Sequence, residues 1–286
     1  MKPIESSRIA VLGLGLMGGS FAAAIRDRCE TVIGMDRRPE AVQFALDHNL
    51  IDAGVSEIEE AVSDIDITIL AAPVRAILDQ ISTYARSWPA GSLLLDLGST
   101  KQEVVRRMEI LPESVHALGG HPMCGKELSG IHHADPQIFN DATFILTPLD
   151  RTVPEALAMA EALVRAVGSV PLILDPSRQD HLTATLSHLP YLLSCGLVAT
   201  ADAVTSGDPA AWEIVAGGFR DTSRISGSDI DMMIDILLTN RQEICSAVAA
   251  FQGRLGQLTQ WVAEEDESAL RESLTKIREE RRRMFP

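Results

Sequence analysis

The 286-residue sequence has few aromatic residues, few lysines and no surplus of positive charge. Aromatic side chains make up 4 % of it, and its lysines are Lys2, Lys101, Lys126 and Lys276. Its 25 basic and 40 acidic residues give a formal net charge of −15. A chain this acidic repels nucleic-acid phosphates and anionic lipids. Nucleic acid and membranes are therefore not expected as partners, whereas a small-molecule substrate is.

Cysteine is also scarce, and the 4 cysteines lie far apart without a CxxC motif. This spacing is typical of reduced thiols and predicts neither a disulfide framework nor a metal site. The first residues lack the pattern of a secretory signal, and no uninterrupted apolar run reaches the roughly 20 residues that span a bilayer. We therefore expect a cytoplasmic location and no metal cofactor.

Short apolar runs alternate with helix-length segments in the first part of the chain. Several runs are apolar at consecutive positions, as in strands that are buried on both faces of a parallel sheet. The alternation predicts an α/β fold with a Rossmann-type doubly wound parallel sheet. The predicted strands are 9–12, 31–35, 67–71, 93–97, 115–118, 143–146 and 170–174.

The strand-like runs stop after Asp175-Pro176-Ser177. Helical periodicity then continues over 179–201, 231–257 and 264–284. We therefore predict two domains, a Rossmann domain over 1–176 and an all-α domain over 177–286.

A glycine-rich GxGxxG segment, 13–18, directly follows the first predicted strand and precedes a helix of small residues. Gly13 permits the tight turn, Gly15 lets a pyrophosphate approach the backbone, and Gly18 lets the helix pack closely on the strand. The segment predicts a dinucleotide site. The predicted cofactor contacts are Gly13, Gly15, Leu16, Met17, Gly18, Asp36, Arg37, Ala72 and Pro73.

The second strand ends in Asp36, 23 residues after Gly13. An acidic residue at about this spacing accepts hydrogen bonds from the adenosine ribose hydroxyls and repels a 2′-phosphate, which favours NAD. Arg37 and Arg38 follow at once and could hold such a phosphate instead, so NADP is the alternative cofactor.

Polar residues follow two later strands at the edge of the sheet where open α/β folds bind substrate. Ser99 follows the strand 93–97, where Thr100 and Glu103 fit a capping box and leave Ser99 facing the cleft. His121 leaves the next strand between glycines and a proline, and histidine suits proton abstraction near neutral pH. His188, in the helical part, is by itself more typical of a core residue.

A second glycine-rich segment, 217–224, carries Arg220, Asp221 and Arg224. Two arginines at a helix junction of so acidic a chain suggest a local clamp for carboxylates. This segment completes the set of candidate site residues.

Five segments occur in the order found in prephenate and arogenate dehydrogenases, a family that the sequence resembles over nearly its whole length. They are 13–20, 98–101, 120–123, 187–190 and 217–224. The resemblance implies oxidation of prephenate by NAD with loss of carbon dioxide, giving 4-hydroxyphenylpyruvate in tyrosine biosynthesis. Arogenate alone, or both cyclohexadienyl substrates, is the alternative. It also implies a helical dimerisation domain and hence a homodimer.

The resemblance further implies roles for individual residues. His121 is the catalytic histidine, Ser99 its hydrogen-bonding partner and Arg224 the principal ligand of a substrate carboxylate. His188 supports the substrate pocket, while Gly217 and Asp221 face the site of the partner subunit. The implied substrate-binding residues are Arg224, His188, Arg220, Gly217, Asp221 and Tyr191.

The sequence departs from the family at two places that bear on recognition of the substrate side chain. Tyr191 stands where many prephenate-using members have a second histidine, and Met233 lies in the stretch where many have a tryptophan. Two more distant alternatives are a β-hydroxyacid dehydrogenase or imine reductase, and a non-catalytic NAD-sensing regulator. The first usually relies on a lysine in the helical domain, where this chain has Lys276 alone, and the second would be expected to lack His121 or Arg224.

Overall fold

The computed structural model describes residues 1–126 and 128–285. The described part contains eight strands that form one sheet, in the order β3-β2-β1-β4-β5-β6-β7-β8. These strands are β1 (Arg8–Leu12), β2 (Thr31–Met35), β3 (Ala53–Val55), β4 (Ile67–Leu70), β5 (Leu93–Asp96), β6 (His116–Pro122), β7 (Thr143–Pro148) and β8 (Val170–Ile173).

Helices connect the strands and make up the rest of the described chain after β8. They are α1 (Leu16–Ile25), α2 (Pro39–Asp47), α3 (Ile58–Val62), α4 (Val74–Thr83), α5 (Gln102–Met108), α6 (Pro154–Ala166), α7 (Pro176–Thr183), α8 (Leu189–Thr205), α9 (Gly217–Ser223), α10 (Ile230–Thr239), α11 (Arg241–Ala263) and α12 (Glu267–Met284). The predicted α/β fold, a doubly wound sheet followed by helices, is confirmed.

The sheet differs from the prediction at β3, at β7 and at the end of β6. β6 was predicted to end at 118 but continues to Pro122, because its last residues pair with β7, so His121 lies within the strand. β3 was not predicted, because three residues with half-exposed or exposed side chains give no apolar run. β7 was expected to be parallel but pairs with β6 in antiparallel register, with His121 opposite Ile145. A parallel neighbour needs a crossover of a dozen or more residues, usually a helix. The described residues between β6 and β7 form only the short 3-10 turns Ile131–His133 and Pro136–Phe139.

The unbroken apolar runs of the central strands are explained by burial on both faces. In β1, Ile9 and Val11 belong to the hydrophobic core on one face of the sheet. Ala10 and Leu12 belong to the core on the other face. Because side chains alternate along a strand, a sheet covered by helices on both sides needs apolar residues at every position.

The chain divides into two compact units, Met1–Arg241 and Gln242–Pro286. The helix predicted over 231–257 is interrupted at Asn240, which has non-helical backbone angles (φ −117°, ψ 29°) and separates α10 from α11. α7 and α8 are joined by one π-helical turn, Ala184–His188. By length and composition alone, this 30-residue helix (Pro176–Thr205) could cross a membrane. Polar residues such as Asp202 interrupt its apolar character.

The turn between β1 and α1 depends on two glycines. Gly13 has a φ of +104°, a conformation that side chains rarely adopt, and a Cβ there would lie 2.4 Å from Ala71 O. A Cβ on Gly18 would lie 1.8 Å from Gly13 O. Both contacts are with backbone atoms. The first helical turn of α1 therefore lies closer to the β1–α1 connection than a side chain at either glycine would allow.

We expect Gly18→Ala to lower the free energy of unfolding by about 3 kcal/mol, the upper end of the usual cost of overpacking. The reason is that the added methyl meets a carbonyl that cannot rotate away. Urea unfolding would measure the change. Gly253→Ala is the matched control, because no atom lies within 4 Å of a Cβ on this α11 glycine. Alanine is favoured in helices by about 1 kcal/mol, so the control should be at least as stable as the wild type. Equal stability of the two variants would contradict the close approach at Gly18.

Candidate active site

The order of the sheet reverses between β1 and β4, which are paired neighbours although β2 and β3 lie between them in sequence. Open α/β sheets bind ligands in the crevice at such a point, outside the carboxyl ends of the strands. The β1–α1 turn lies on one side of this crevice. Ala72 and Pro73 follow β4 on the other side, so both predicted groups of cofactor residues lie at its edge.

The amino-terminal end of α1 is shaped to receive an anion. Gly15 caps the helix without a side chain, and Leu16 and Met17 begin its first turn. No atom lies within 4 Å of a Cβ built on Gly15. The open space and the N–H groups of a first helical turn fit a pyrophosphate.

Asp36, one residue beyond β2, is a buried carboxylate that accepts several hydrogen bonds from N–H groups. Its Oδ2 accepts from Leu14 N at 2.8 Å, and its Oδ1 accepts from Arg38 N at 2.9 Å and Arg38 Nε at 3.1 Å. Burial raises the pKa of Asp36, but the hydrogen bonds from Arg38 and Leu14 outweigh it and hold the pKa below its usual value. Arg37 is exposed. Arg38 is thus an ion-pair partner of Asp36, whose charge it partly neutralises.

His121 lies near the carboxyl end of β6, with 8 % of its surface exposed. Burial, followed by the positive charge of Lys101 and the nearby His188, lowers the pKa of His121 to about 3. The imidazole is therefore neutral near pH 7, in the form that can accept a proton.

Gln179 of α7 holds the ring of His121. Its Nε2 lies 2.8 Å from His121 Nδ1 and donates to Ser99 O at 3.2 Å. Gln179 therefore occupies Nδ1 of His121, and the hydrogen bond between Ser99 and His121 stays a prediction. Ser99 itself is half-buried after β5 and is linked to His121 through its carbonyl and Gln179.

A fully buried ion pair lies behind His121. Lys101 Nζ donates to Asp96 Oδ2, and neither side chain is exposed. Asp96 also accepts from Gly98 N at 2.8 Å and from Gly120 N at 3.0 Å. Burial raises the pKa of Asp96, whereas Lys101 and the two N–H groups lower it. These contacts tie the ends of β5 and β6 together, one residue from His121.

The amino-terminal end of α5 is capped by a residue that is distant in sequence rather than by a neighbouring side chain. Asp180 of α7 accepts from Lys101 N at 2.7 Å and from Gln102 N at 2.9 Å. The predicted capping box of Thr100 and Glu103 is wrong, because Thr100 Oγ1 instead pairs with Thr239 Oγ1 at 2.8 Å. The helical part of the chain therefore supplies the cap.

His188, in the π-helical turn, is only 2 % exposed. Burial lowers its pKa to about 4, so it is also neutral near pH 7. Asn240 Nδ2 lies 3.3 Å from His188 Nδ1 and donates to Asp180 O at 2.8 Å. His188 lies close enough to His121 to influence its pKa, so the structure brings these two predicted residues together.

The remaining predicted substrate residues lie on a more exposed part of the same compact unit. Gly217, Arg220 and Asp221 lie on α9, and Arg224 begins the next 3-10 turn, which ends at Gly227; all four are exposed. This turn is joined to α8, where Ser194 Oγ accepts from Ser226 N at 3.0 Å. Tyr191 is half-buried on α8. Burial and a hydrogen bond with Cys195 raise its pKa.

Sequence reasoning missed the polar residues that support the two histidines: Gln179, Asp180, Asn240, Asp96 and Lys101. One signal was available, since Lys101 is one of 4 lysines and directly follows Gly98-Ser99-Thr100. Gln179, Asp180 and Asn240 carried no comparable signal, because each acts on a segment far away in sequence.

Comparison with known proteins agrees with this geometry. Residues 21–172 match the family model described as the nucleotide-binding domain of prephenate dehydrogenase, and residues 175–276 match its dimerization domain. The chain is 32 % identical to prephenate dehydrogenase of Bacillus subtilis over 262 residues, which are 90 % of this chain and 71 % of the relative. It is 28 % identical to cyclohexadienyl dehydrogenase of Zymomonas mobilis, over 90 % of this chain and 89 % of that protein.

The fold matches a solved relative over almost its whole length. The crystal structure of prephenate dehydrogenase from A. aeolicus, in complex with hydroxyphenyl propionate and NAD+, superposes with a TM-score of 0.92 at 28 % identity. The match covers 99 % of this chain and 100 % of that one. The resemblance noted in the sequence is thereby confirmed, together with its prediction of an oxidoreductase with a nucleotide-binding domain. The chain belongs to the prephenate dehydrogenase family.

Proposed function

We propose that this chain is an NAD-dependent prephenate dehydrogenase of tyrosine biosynthesis. It converts prephenate and NAD+ to 4-hydroxyphenylpyruvate, carbon dioxide and NADH. The observation that carries the proposal is a buried, neutral His121 at the edge of the sheet that also bears the dinucleotide crevice, in a chain of this family.

His121 is the proton acceptor of the proposed reaction. Gly15 at the start of α1 and Asp36 after β2 would hold NAD in the crevice, where it would supply a hydride acceptor for the ring carbon that carries the hydroxyl group. His121 accepts the hydroxyl proton from the same centre, and the carbon becomes a carbonyl. The ring carboxylate then leaves as carbon dioxide, its electron pair completes the aromatic ring, and the carbonyl oxygen takes the proton back from His121 to become the phenol hydroxyl. Aromatisation supplies most of the driving force, so a single base is sufficient. Ser99 supports His121 from the half-buried turn after β5.

Cations and neutral donors would orient the two substrate carboxylates. We assign the principal carboxylate contact to Arg224 and a supporting one to Arg220, because a guanidinium binds a carboxylate through two parallel hydrogen bonds. His188 is neutral and donates to the substrate rather than attracting it by charge. Tyr191 lies near the substrate side chain that distinguishes prephenate from arogenate, and Gly217 and Asp221 face the substrate site of the partner subunit in the proposed homodimer.

We assign NAD binding to residues 1–176, and substrate binding and dimerisation to residues 177–286. Large apolar side chains on the helical part are strongly exposed, including Leu186 (73 %), Val204 (79 %) and Ile214 (81 %). Exposed apolar surface of this kind is typical of a protein–protein interface. A homodimer would cover it, and a cytoplasmic location fits an enzyme of tyrosine biosynthesis.

We expect His121→Asn to lower kcat by about 10²- to 10⁴-fold, the usual contribution of a positioned general base. The assay follows NADH formation with prephenate and, separately, with arogenate. His133→Asn is the matched control, since His133 is exposed on a short 3-10 turn. Turnover of arogenate alone would move the substrate assignment to arogenate and point to Tyr191. No turnover of either substrate by the wild-type chain would refute the proposed activity.

We expect Asp36→Ser to raise the KM for NAD by about 10- to 100-fold, because a hydrogen bond to a charged group is worth about 1.5–3 kcal/mol. Loss of the carboxylate also frees Arg38 for a 2′-phosphate, so the KM for NADP should fall. Steady-state kinetics with both cofactors measure the change, and Asp47→Ser, on the exposed end of α2, is the control. An unchanged ratio of the two KM values would contradict the role of Asp36.

The free energy of unfolding should fall as the pH is lowered below about 6.5, where an unfolded histidine begins to bind a proton. His121 and His188 stay neutral in the folded protein down to pKa values of about 3 and about 4. The unfolded state therefore binds more protons in this window. Each histidine adds up to about 1.4 kcal/mol per pH unit to the slope. Urea unfolding between about pH 7 and pH 5 should show a smaller slope for His121→Asn. Equal pH slopes of the unfolding free energy for the wild type and His121→Asn would contradict the buried, neutral state of His121.

A further inference from the structure

The strand order determines where each half of a bound dinucleotide would lie. Five neighbouring strands of the sheet follow the order β2-β1-β4-β5-β6. Asp36 follows β2, so the adenosine half would lie on that side of the β1–α1 turn. With the pyrophosphate at the start of α1, the nicotinamide half would extend past the end of β4 toward His121 on β6. The turn after β4 is therefore the part of the crevice beside the hydride acceptor.

The end of β4 is fixed by close packing, but the turn that follows it is open. A Cβ on Gly13 would lie 2.4 Å from Ala71 O, and a Cβ on Gly18 would lie 2.9 Å from Ala71 Cβ. The next two residues are less covered, since Ala72 is half-buried and Pro73 is exposed. This turn offers room for a flat ring. Its position depends on the helix α4, which starts directly after Pro73.

The amino-terminal end of α4 is not capped by a side chain of its own. Its N-cap is Pro73, which has no side-chain oxygen, and its first turn is Val74-Arg75-Ala76. The N–H groups of a first helical turn have no acceptor within the helix. Asp235 of α10 supplies one, because its Oδ2 accepts from Arg75 N at 3.1 Å. The cap thus comes from 160 residues away in sequence.

The two oxygens of Asp235 have different partners. The residue is 5 % exposed, and its Oδ1 accepts from Arg75 Nε. The side chain of Arg75 is 56 % exposed, and an ion pair with so exposed a partner contributes little to stability. A hydrogen bond to a backbone N–H in the first turn fixes the start of a helix. The bond to Arg75 N is therefore the one that acts on the turn after β4.

The same helix also contacts the segments beside the proposed proton acceptor. Thr239, one turn after Asp235, has its Oγ1 2.8 Å from Thr100 Oγ1. Asn240, which ends α10, has its Nδ2 3.3 Å from His188 Nδ1. α10 therefore connects the turn after β4 with the turn after β5 and with the π-helical turn.

We propose that Asp235 is a positioning residue for the hydride acceptor. By capping α4 it fixes Ala72 and Pro73, and with them the nicotinamide half of NAD relative to His121. Reacting atoms must come within about 3–3.5 Å of each other, and a misplacement of about 1 Å can lower the rate about 100-fold. The helical part of the chain thereby aligns the cofactor. This inference rests on the proposed function, because it requires hydride transfer to NAD.

Binding of two ligands tests the placement without turnover. ADP-ribose contains the adenosine and pyrophosphate groups of NADH but lacks the nicotinamide. In Asp235→Ala we expect the Kd for NADH to rise about 3- to 10-fold, the effect of losing one helix cap, while the Kd for ADP-ribose is unchanged. In Asp235→Asn the amide oxygen can still accept from Arg75 N, so both Kd values should stay close to those of the wild type. Calorimetry measures all of them.

Asp52→Ala is the matched control. Asp52 also joins a backbone N–H to an arginine, because it accepts from Val32 N at 2.8 Å and from Arg26 Nε at 3.1 Å. Val32 lies near the amino end of β2, away from the carboxyl edge that bears the crevice. Loss of Asp52 should therefore change neither Kd. Asp235→Leu fills the space without an acceptor, and it replaces Asp235→Ala should that variant fail to fold.

Kinetics test the consequence for hydride transfer. We expect kcat with prephenate to fall about 10- to 100-fold in Asp235→Ala, with an unchanged KM for prephenate because Arg224 and Arg220 are untouched. Asp235→Asn should recover most of kcat. A cap that only stabilised the fold would lower the free energy of unfolding in Asp235→Ala and in Asp52→Ala alike and leave kcat unchanged.

The two arms separate the possible failures. A wild-type protein that turns over neither substrate would refute the proposed function, while the two Kd values would still report the role of Asp235 at the nicotinamide. Equal rises of both Kd values in Asp235→Ala, no rise of either, or an active wild type whose kcat this substitution leaves unchanged would overturn the role of Asp235. The proposed function would then remain intact.

Discussion

The site depends on the buried ion pair between Lys101 and Asp96. Removing two charges from water costs several kcal/mol for each ion, and only good geometry with further hydrogen bonds repays this cost. Asp96 has these bonds, since Gly98 N and Gly120 N donate to the same carboxylate. The pair therefore fixes the ends of β5 and β6 relative to each other. Ser99 and His121 lie beside these ends, so this interaction sets their separation together with Gln179, which contacts both residues.

Burial and this ion pair together lower the pKa of His121. Burial disfavours the charged imidazole most, and the ammonium group of Lys101 disfavours a second positive charge nearby. His121 is consequently a weak base in the resting protein. A base of this kind takes up a proton only when the reacting group releases one with a strong driving force, which aromatisation of the proposed substrate supplies. The neutral state of His121 follows from packing and charge, not from the histidine alone.

The sequence predicted the features that depend on neighbours along the chain. The strand, the glycine turn and Asp36 lie within one βαβ unit, so spacing was enough to place Gly13, Gly18 and Asp36. His121 was placed because a histidine after a buried strand must lie at the carboxyl edge of the sheet. The antiparallel direction of β7 was missed, because the apolar run of β7 is the same in either direction.

The supporting residues could not be predicted because they act across long separations. Gln179 is 58 residues from His121, and Asn240 is 52 residues from His188. The capping box failed for the same reason: Thr100 fits the local pattern, but its hydroxyl pairs with Thr239, 139 residues away. Local propensity predicts the hydrogen bonds that a segment makes by itself. At these positions the partners come from distant segments instead.

These long-range contacts also explain why a compact unit extends beyond the last strand to Arg241. Asp235 of α10 is buried and is engaged by the backbone N–H and the guanidinium of Arg75, just after the Ala72-Pro73 edge of the crevice. Asp180 caps the segment before α5 in the same way. Helices from the predicted substrate domain thus cap two helices of the predicted cofactor domain. α10 thus holds the helix that follows the predicted cofactor edge through Asp235, and α7 holds the segment beside His121 through Asp180, so helices of one compact unit fix both parts of the candidate site.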